Sequence, residues 1–123
     1  MKIRLDHLRV DVLDMGVAEK FYRDALGFER VVRFEVPDGI IQQMGPGGAP
    51  PGVELTQKEG LVPAPSKTEH ICFQVDDVVA WVERVRAAGY PIEREPFKIG
   101  DEGLAFVKDP DGHLIEFNDF NGR

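Results

Sequence analysis

His7-Leu8-Arg9-Val10-Asp11-Val12-Leu13-Asp14 and His70-Ile71-Cys72-Phe73-Gln74-Val75-Asp76-Asp77 are two copies of one element. Each alternates with a period of two, which predicts a strand with one apolar and one polar face. Each ends near an aspartate, Asp14 or Asp77, whose carboxylate can accept the free N–H groups of a helix's first turn. A helical stripe follows each cap. In the first copy it is Ala18, Phe21, Tyr22, Ala25 and Leu26; in the second it is Val78, Trp81, Val82 and Val85. Gly27 and Gly89 close the two helices, and an aromatic, Phe28 or Tyr90, comes next.

Working outward, three strand-like stretches complete each half. They fall at 28–36, 40–44 and 53–56 in the first, and at 90–97, 103–108 and 113–117 in the second. Turn signals separate them, among them Pro37-Asp38-Gly39, Gly45-Pro46-Gly47-Gly48 and Asp109-Pro110-Asp111-Gly112. The expected fold is therefore α+β: two tandem βαβββ modules, 1–57 and 68–123, forming a curled mixed sheet around a metal pocket. Residues 58–67, with Pro63 and Pro65, read as a short stiff connector within one structural domain.

Composition narrows the function. With 42% hydrophobic and 30% charged residues, the chain reads as an ordinary globular protein. A net charge of −7 without a basic cluster argues against nucleic acid as a partner. No apolar run approaches the roughly 20 residues of a membrane span, and Met1 to Asp6 carry no signal-peptide core. Cys72 is the single cysteine, so no intrachain disulfide forms and a cytoplasmic location is expected.

The repeat also carries chemistry. His7 and Glu54 in the first half match His70 and Glu116 in the second, and the His-to-Glu spacing of the two pairs agrees to within one residue. Strand parity puts all four on the polar side. His7, Arg9 and Asp11 share a face, as do Glu54 and Thr56, then His70, Cys72 and Gln74, then Glu116 and Asn118. If the first and last strands of each module adjoin, each His meets its Glu, and a pseudo-twofold pairing of modules gathers all four. Two imidazoles and two carboxylates suit one divalent ion, Ni²⁺, Zn²⁺, Co²⁺, Mn²⁺ or Fe²⁺, with positions left open for substrate. Arg9, Asp11, Thr56, Cys72, Gln74 and Asn118 are the candidate substrate contacts. Two have simpler readings: Arg9 as the ion-pair partner of Asp11, and Cys72 as a small buried filler. Trp81 reads as core, Glu83, Arg84 and Arg86 as a solvated helix face, and His113 as the start of the last strand.

Asp6-His7, Phe21-Tyr22-Arg23-Asp24-Ala25-Leu26-Gly27-Phe28, Glu69-His70 and Asp109-Pro110-Asp111-Gly112-His113-Leu114-Ile115-Glu116 together resemble the vicinal oxygen chelate superfamily. That group includes glyoxalase I, methylmalonyl-CoA epimerase, extradiol dioxygenases, fosfomycin thiol transferases and bleomycin-binding proteins. The resemblance runs from Leu5 to Phe117. His7, Glu54, His70 and Glu116 are similar to the His-Glu-His-Glu ligand set of glyoxalase I. Glutathione-using enzymes of that type carry Arg four residues after the first ligand, where this chain has Asp11, so the resemblance leaves the thiol open.

What the resemblance implies is a metal-dependent lyase or isomerase acting on a hemithioacetal or related α-hydroxycarbonyl. Lewis-acid polarisation acidifies the C–H beside the carbonyl. Glu116, or in second place Glu54, removes the proton, and an enediolate forms. The alternatives are an epimerase, a ring-cleaving dioxygenase, or a metal-free binding or resistance protein. Modules that pair across chains imply a homodimer with two sites and a small molecule as the other partner.

Overall fold

Asp14 and Asp77 both cap helices, and they do so identically. Asp14 Oδ1 accepts from the Val17 N–H and Asp77 Oδ1 from the Ala80 N–H, each at 3.0 Å. The computed structural model describes residues 1–120. The chain divides into two compact units, Met1–Ala64 and Pro65–Arg123. The first contains β1 (His7–Asp11), α1 (Met15–Asp24), β2 (Phe28–Val36), β3 (Gly39–Pro46) and β4 (Gly52–Lys58). The second repeats the order with β5 (His70–Gln74), α2 (Val78–Ala87), β6 (Ile92–Ile99), β7 (Glu102–Lys108) and β8 (Leu114–Asn118).

Each unit forms one four-stranded mixed sheet, ordered β1-β4-β3-β2 or β5-β8-β7-β6. The first and last strands of a module are parallel neighbours, and the remaining pairs are antiparallel. A parallel neighbour needs a crossover connection, which here includes the helix. The helices end where glycine permits a left-handed backbone, at Gly27 (φ 68°) and Gly89 (φ 93°).

The apolar faces pack as parity predicts over most of both modules, but Leu8 at the start of β1 is exposed, and Ile71, Phe73 and Val75 in and just after β5 are only part-buried. Val10, Val12, Val53, Leu55 and Met44 lie in the first core with Ala18, Phe21, Tyr22 and Leu26 of the helix segment. In the second, Ile115, Phe117, Ala105 and Val107 accompany Val78, Val82 and Val85. Burial at roughly 25 cal/mol per Å² of apolar surface makes these faces the main stabilising term.

One polar cluster interrupts the first core. Glu19 of α1 is 8% exposed. Its carboxylate accepts from Gln42 Nε2 at 2.7 Å, from Arg30 Nη2 at 2.9 Å and from Arg23 Nη2 at 2.5 Å. Arg33 Nη1 donates in turn to Gln42 Oε1 at 3.0 Å. Burial pushes the Glu19 carboxyl up, but the donors Gln42, Arg30 and Arg23 outweigh it and hold the group below the usual glutamate value.

Several boundaries differ from the sequence reading. β3 runs from Gly39 to Pro46 and β4 from Gly52 to Lys58, both longer than the apolar stretches. Their ladders extend through residues whose side chains carry no periodic signal, such as Gly52 opposite His7. A Cβ on Gly52 would lie 2.0 Å from the Met44 carbonyl oxygen, so only glycine fits there. β6 starts at Ile92, not at residue 90, because Gly89 and Tyr90 belong to the helix-terminating turn. β8 starts at Leu114, which leaves His113 in the preceding turn.

Candidate metal centre

The Asp-Pro-Asp-Gly segment shows how local chemistry delivers a functional side chain. Asp109 Oδ1 accepts from the N–H groups of Asp111 and His113, both at 2.9 Å, and Gly112 takes a φ of 90°. This side-chain-closed turn sends β8 back beside β5 and sets its register. His70 opposes Leu114 and Cys72 opposes Glu116. Across that diagonal, His70 Nε2 and Glu116 Oε1 are 3.0 Å apart. The first unit repeats the diagonal: Arg9 opposes Glu54, and His7 Nε2 lies 3.1 Å from Glu54 Oε2.

Both imidazoles are held from behind. His70 Nδ1 lies 2.9 Å from the Thr68 carbonyl oxygen. A carbonyl only accepts, so Nδ1 carries the proton. In a neutral ring Nε2 is then a bare lone pair, and it faces a carboxylate oxygen. His7 has the same arrangement, with Asp6 Oδ2 2.8 Å from Nδ1 and Glu54 beyond Nε2. Two acceptors this close need a cation between them, either a second ring proton or a metal ion. Neighbouring donors at right angles on an ion with bonds of about 2.1 Å stand about 3 Å apart. The donor types, the spacing and the anchored Nδ1 atoms therefore fit a divalent metal.

The structure brings the four candidates together two by two. Among the described residues no group of three His, Cys, Asp or Glu side chains meets as a complete metal cage. The surrounding polar face is also built in pairs. Gln43 Nε2 donates to Glu54 Oε2 at 3.1 Å. Asn118 Nδ2 and Cys72 Sγ donate to Glu116 Oε2 at 3.1 and 3.2 Å.

The remaining candidates separate. Arg9 Nε donates to Asp11 Oδ1 at 2.7 Å, the pairing that parity allowed. Thr56 is buried with its hydroxyl unpartnered among the described residues, while Gln74 is exposed. Cys72 is exposed and bonded to Glu116, which corrects its reading as a buried filler: its strand is an edge, so that face stays open. Trp81 is only part-buried. Its ring packs against Phe117 with centroids 6.0 Å apart while Nε1 reaches Asp76 Oδ1 at 3.3 Å, which keeps one side of the indole outside the core. The solvated helix face holds, with Arg86 bridging Glu83 and Glu95.

Two contributors went unread. Gln43 shares strand parity with Glu54 across the β3–β4 ladder, and Asp6 immediately precedes His7. The first could have been found by extending the parity test to β3. A cavity of about 660 Å³ also lies in the second unit, with Lys67, Arg94, Phe106, Lys108 and Leu114 among its lining residues. Phe106 meets the His70 ring edge-on, centroids 5.5 Å apart, which joins this cavity to the His70–Glu116 pair. No helix among the described residues is long and apolar enough to cross a membrane.

Comparison with known proteins follows the same lines. The Glyoxalase/Bleomycin resistance protein/Dioxygenase superfamily model matches residues 4–117. A lactoylglutathione lyase of Haemophilus influenzae is 38% identical over 125 residues, covering 95% of this chain and 91% of that protein. Glyoxalase I from Zea mays superposes with a TM-score of 0.84 at 27% identity, over 94% of this chain and 44% of the maize chain. TnmS3, an antibiotic binding protein from Streptomyces, gives a TM-score of 0.80 at 26% identity over 95% of both chains.

Proposed function

Because the chain belongs to the Glyoxalase/Bleomycin resistance protein/Dioxygenase superfamily and is glyoxalase I-like, we propose that it isomerises a hemithioacetal, a thiol–2-oxoaldehyde adduct, to a 2-hydroxyacyl thioester. One observation carries this reading. Both modules present an imidazole Nε2 to a carboxylate oxygen, at 3.1 Å for His7–Glu54 and 3.0 Å for His70–Glu116, with each Nδ1 tied back. Two matched couples of this donor type favour a metal-dependent enzyme over a metal-free binding protein.

His7, Glu54, His70 and Glu116 would hold one divalent cation, nickel or zinc being our first choices for an imidazole–carboxylate donor set. When bound, that ion supplies Lewis-acid polarisation of the substrate oxygens and stabilises the enediolate charge where it develops. The rest falls to the protein. Glu116, which would have to loosen from the ion to act as base, accepts through Oε1 the proton from the carbon beside the carbonyl and returns it to the adjacent carbon. Glu54 is the alternative base. Phe106 walls off one side of His70. Lys67 and Arg94, which line the neighbouring cavity, suit a thiol carrier bearing negative charge.

Each unit supplies two ligands, so four require two units. We assign that pairing to a homodimer with two sites, module facing module across the chains.

The test is direct. Metal content is measured on the purified protein, which is then assayed with methylglyoxal and a panel of thiols in the presence of Ni²⁺ or Zn²⁺. Thioester formation is expected, and Glu116→Gln is expected to abolish it in a folded protein. Full turnover by that variant would remove Glu116 as the base, and no turnover with any thiol would sink the reaction assignment.

A further inference from the structure

We infer that Cys72 and Asn118 are positioning residues that clamp one oxygen of Glu116, so that the carboxylate presents a single oxygen to the cation and the substrate. The inference rests on the metal reading above, and it concerns what distinguishes the two carboxylates.

The oxygens of Glu116 are divided between two tasks. Oε1 lies 3.0 Å from His70 Nε2. Oε2 accepts from Cys72 Sγ at 3.2 Å and from Asn118 Nδ2 at 3.1 Å. Among the described residues, Glu54 receives one side-chain donor, Gln43, and on the oxygen that already faces His7. The side chain of Glu116 is 11% exposed against 21% for Glu54. One carboxylate is thus gripped at its far oxygen, and the other is not.

The grip is itself fixed. The Phe120 N–H donates to Asn118 Oδ1 at 2.7 Å, which identifies that atom as the oxygen and orients the amide. The Asn118 amide nitrogen then serves Glu116 Oε2 and Glu102 Oε2, the latter at 3.2 Å. Both amide hydrogens and the carbonyl are committed, and Asn118 is 4% exposed. Cys72 approaches from the adjacent strand, directly opposite Glu116 in the β5–β8 register. Donors from two strands therefore prevent rotation of the carboxylate about its last bond. Without them both oxygens are free to chelate the ion. With them Oε1 alone faces the reaction centre, and it returns to the same aim after each proton transfer.

The experiment compares wild type with Cys72→Ala, Cys72→Ser, Asn118→Leu and the Cys72→Ala/Asn118→Leu double variant as full-length proteins. Circular dichroism confirms folding; the Cys72 variants retain the buried amide and serve if Asn118→Leu does not fold. The visible absorption of bound Co²⁺ reports the ligand geometry, and methylglyoxal hemithioacetal turnover is measured alongside. We expect Cys72→Ala and the double variant to change the Co²⁺ spectrum and to lower kcat roughly 10- to 100-fold with KM within about twofold. Cys72→Ser, which keeps a donor, restores both. An unchanged Co²⁺ spectrum in the folded Cys72→Ala and double variants overturns the clamp, as does a loss that serine fails to restore. A wild type that takes up no Co²⁺ overturns it together with the metal reading. A wild type that binds Co²⁺ yet turns over no hemithioacetal sinks only the reaction, and the spectra still decide the clamp.

Discussion

Gln43 Nε2 and His7 Nε2 converge on one atom: each lies 3.1 Å from Glu54 Oε2. Gln43 sits on β3, one strand beyond Glu54, so three neighbouring strands of the first sheet contribute to this point. The amide orients the carboxylate as a supporting layer around a metal ligand does.

Replacing Gln43 by Leu removes that donor while keeping the side-chain volume. The expected result is about tenfold weaker divalent-ion binding, read by calorimetric titration with Zn²⁺ or Ni²⁺. Unaltered affinity would show that Glu54 needs no such support.

Asp6→Asn tests the other side of the same half-site. Asp6 Oδ2 accepts a hydrogen bond from the His7 Nδ1–H at 2.8 Å, which raises the donor strength of the opposite nitrogen. Affinity for the ion is expected to drop by about tenfold while the thermal midpoint of the metal-free protein stays put. An equal drop in both would mark Asp6 as structural.

The sequence exposed the module order because two signals agreed. Period-two strands at His7 and His70 are followed by aspartate caps, and both caps bond the backbone as that pattern requires. The His–Glu pairs were legible for the same reason, since repeat offset and strand parity identify one face. Three kinds of feature were hidden. Strand ends such as Gly52 are set by ladder geometry and not by side-chain pattern. Glu19 stands beside an apolar helical stripe, and only the register that brings Gln42 and Arg30 beneath it reveals a buried cluster. The exposure of Cys72 follows from β5 being an edge strand, which is a property of sheet order and not of any local sequence.

The Glu19 cluster makes a stability prediction with a definite sign. The folded-state carboxyl is held below its unfolded value, so the unfolded chain binds its proton first as pH falls. The stabilisation is complete above the unfolded value of about 4.3 and is lost as pH falls through the lower folded value. Urea melts across that window are expected to show a steeper acid loss in wild type than in Glu19→Gln. Glu19→Ala, which strands the Gln42 amide and the arginines, is expected to cost about 2 kcal/mol at neutral pH.

Thr56 offers the opposite case. Its hydroxyl is buried without a partner among the described residues, and β-branched valine has nearly the same shape. Thr56→Val is expected to raise stability by about 1 kcal/mol in denaturant titration. A fall in stability, or a loss of substrate binding without one, would instead assign the hydroxyl a ligand.

The proposed dimer is testable by mixing two inactive proteins. One carries His7→Ala with Glu54→Gln, so its first module is dead; the other carries His70→Ala with Glu116→Gln, so its second module is dead. If each site joins the first module of one chain to the second module of its partner, a mixed dimer has one site with both couples lost and one with both intact. Random exchange makes half of the dimers mixed, and each recovers one of its two sites, so about a quarter of wild-type activity should return. If both couples instead came from the same chain, every site in the mixture would lack one couple. Activity would then stay at the level of the separate proteins, whatever the oligomeric state. Exchange has to be complete for the comparison to hold, and native mass spectrometry of the mixture measures the fraction of mixed dimers directly. Recovery that scales with that fraction supports a shared site, and a flat baseline at full exchange excludes it.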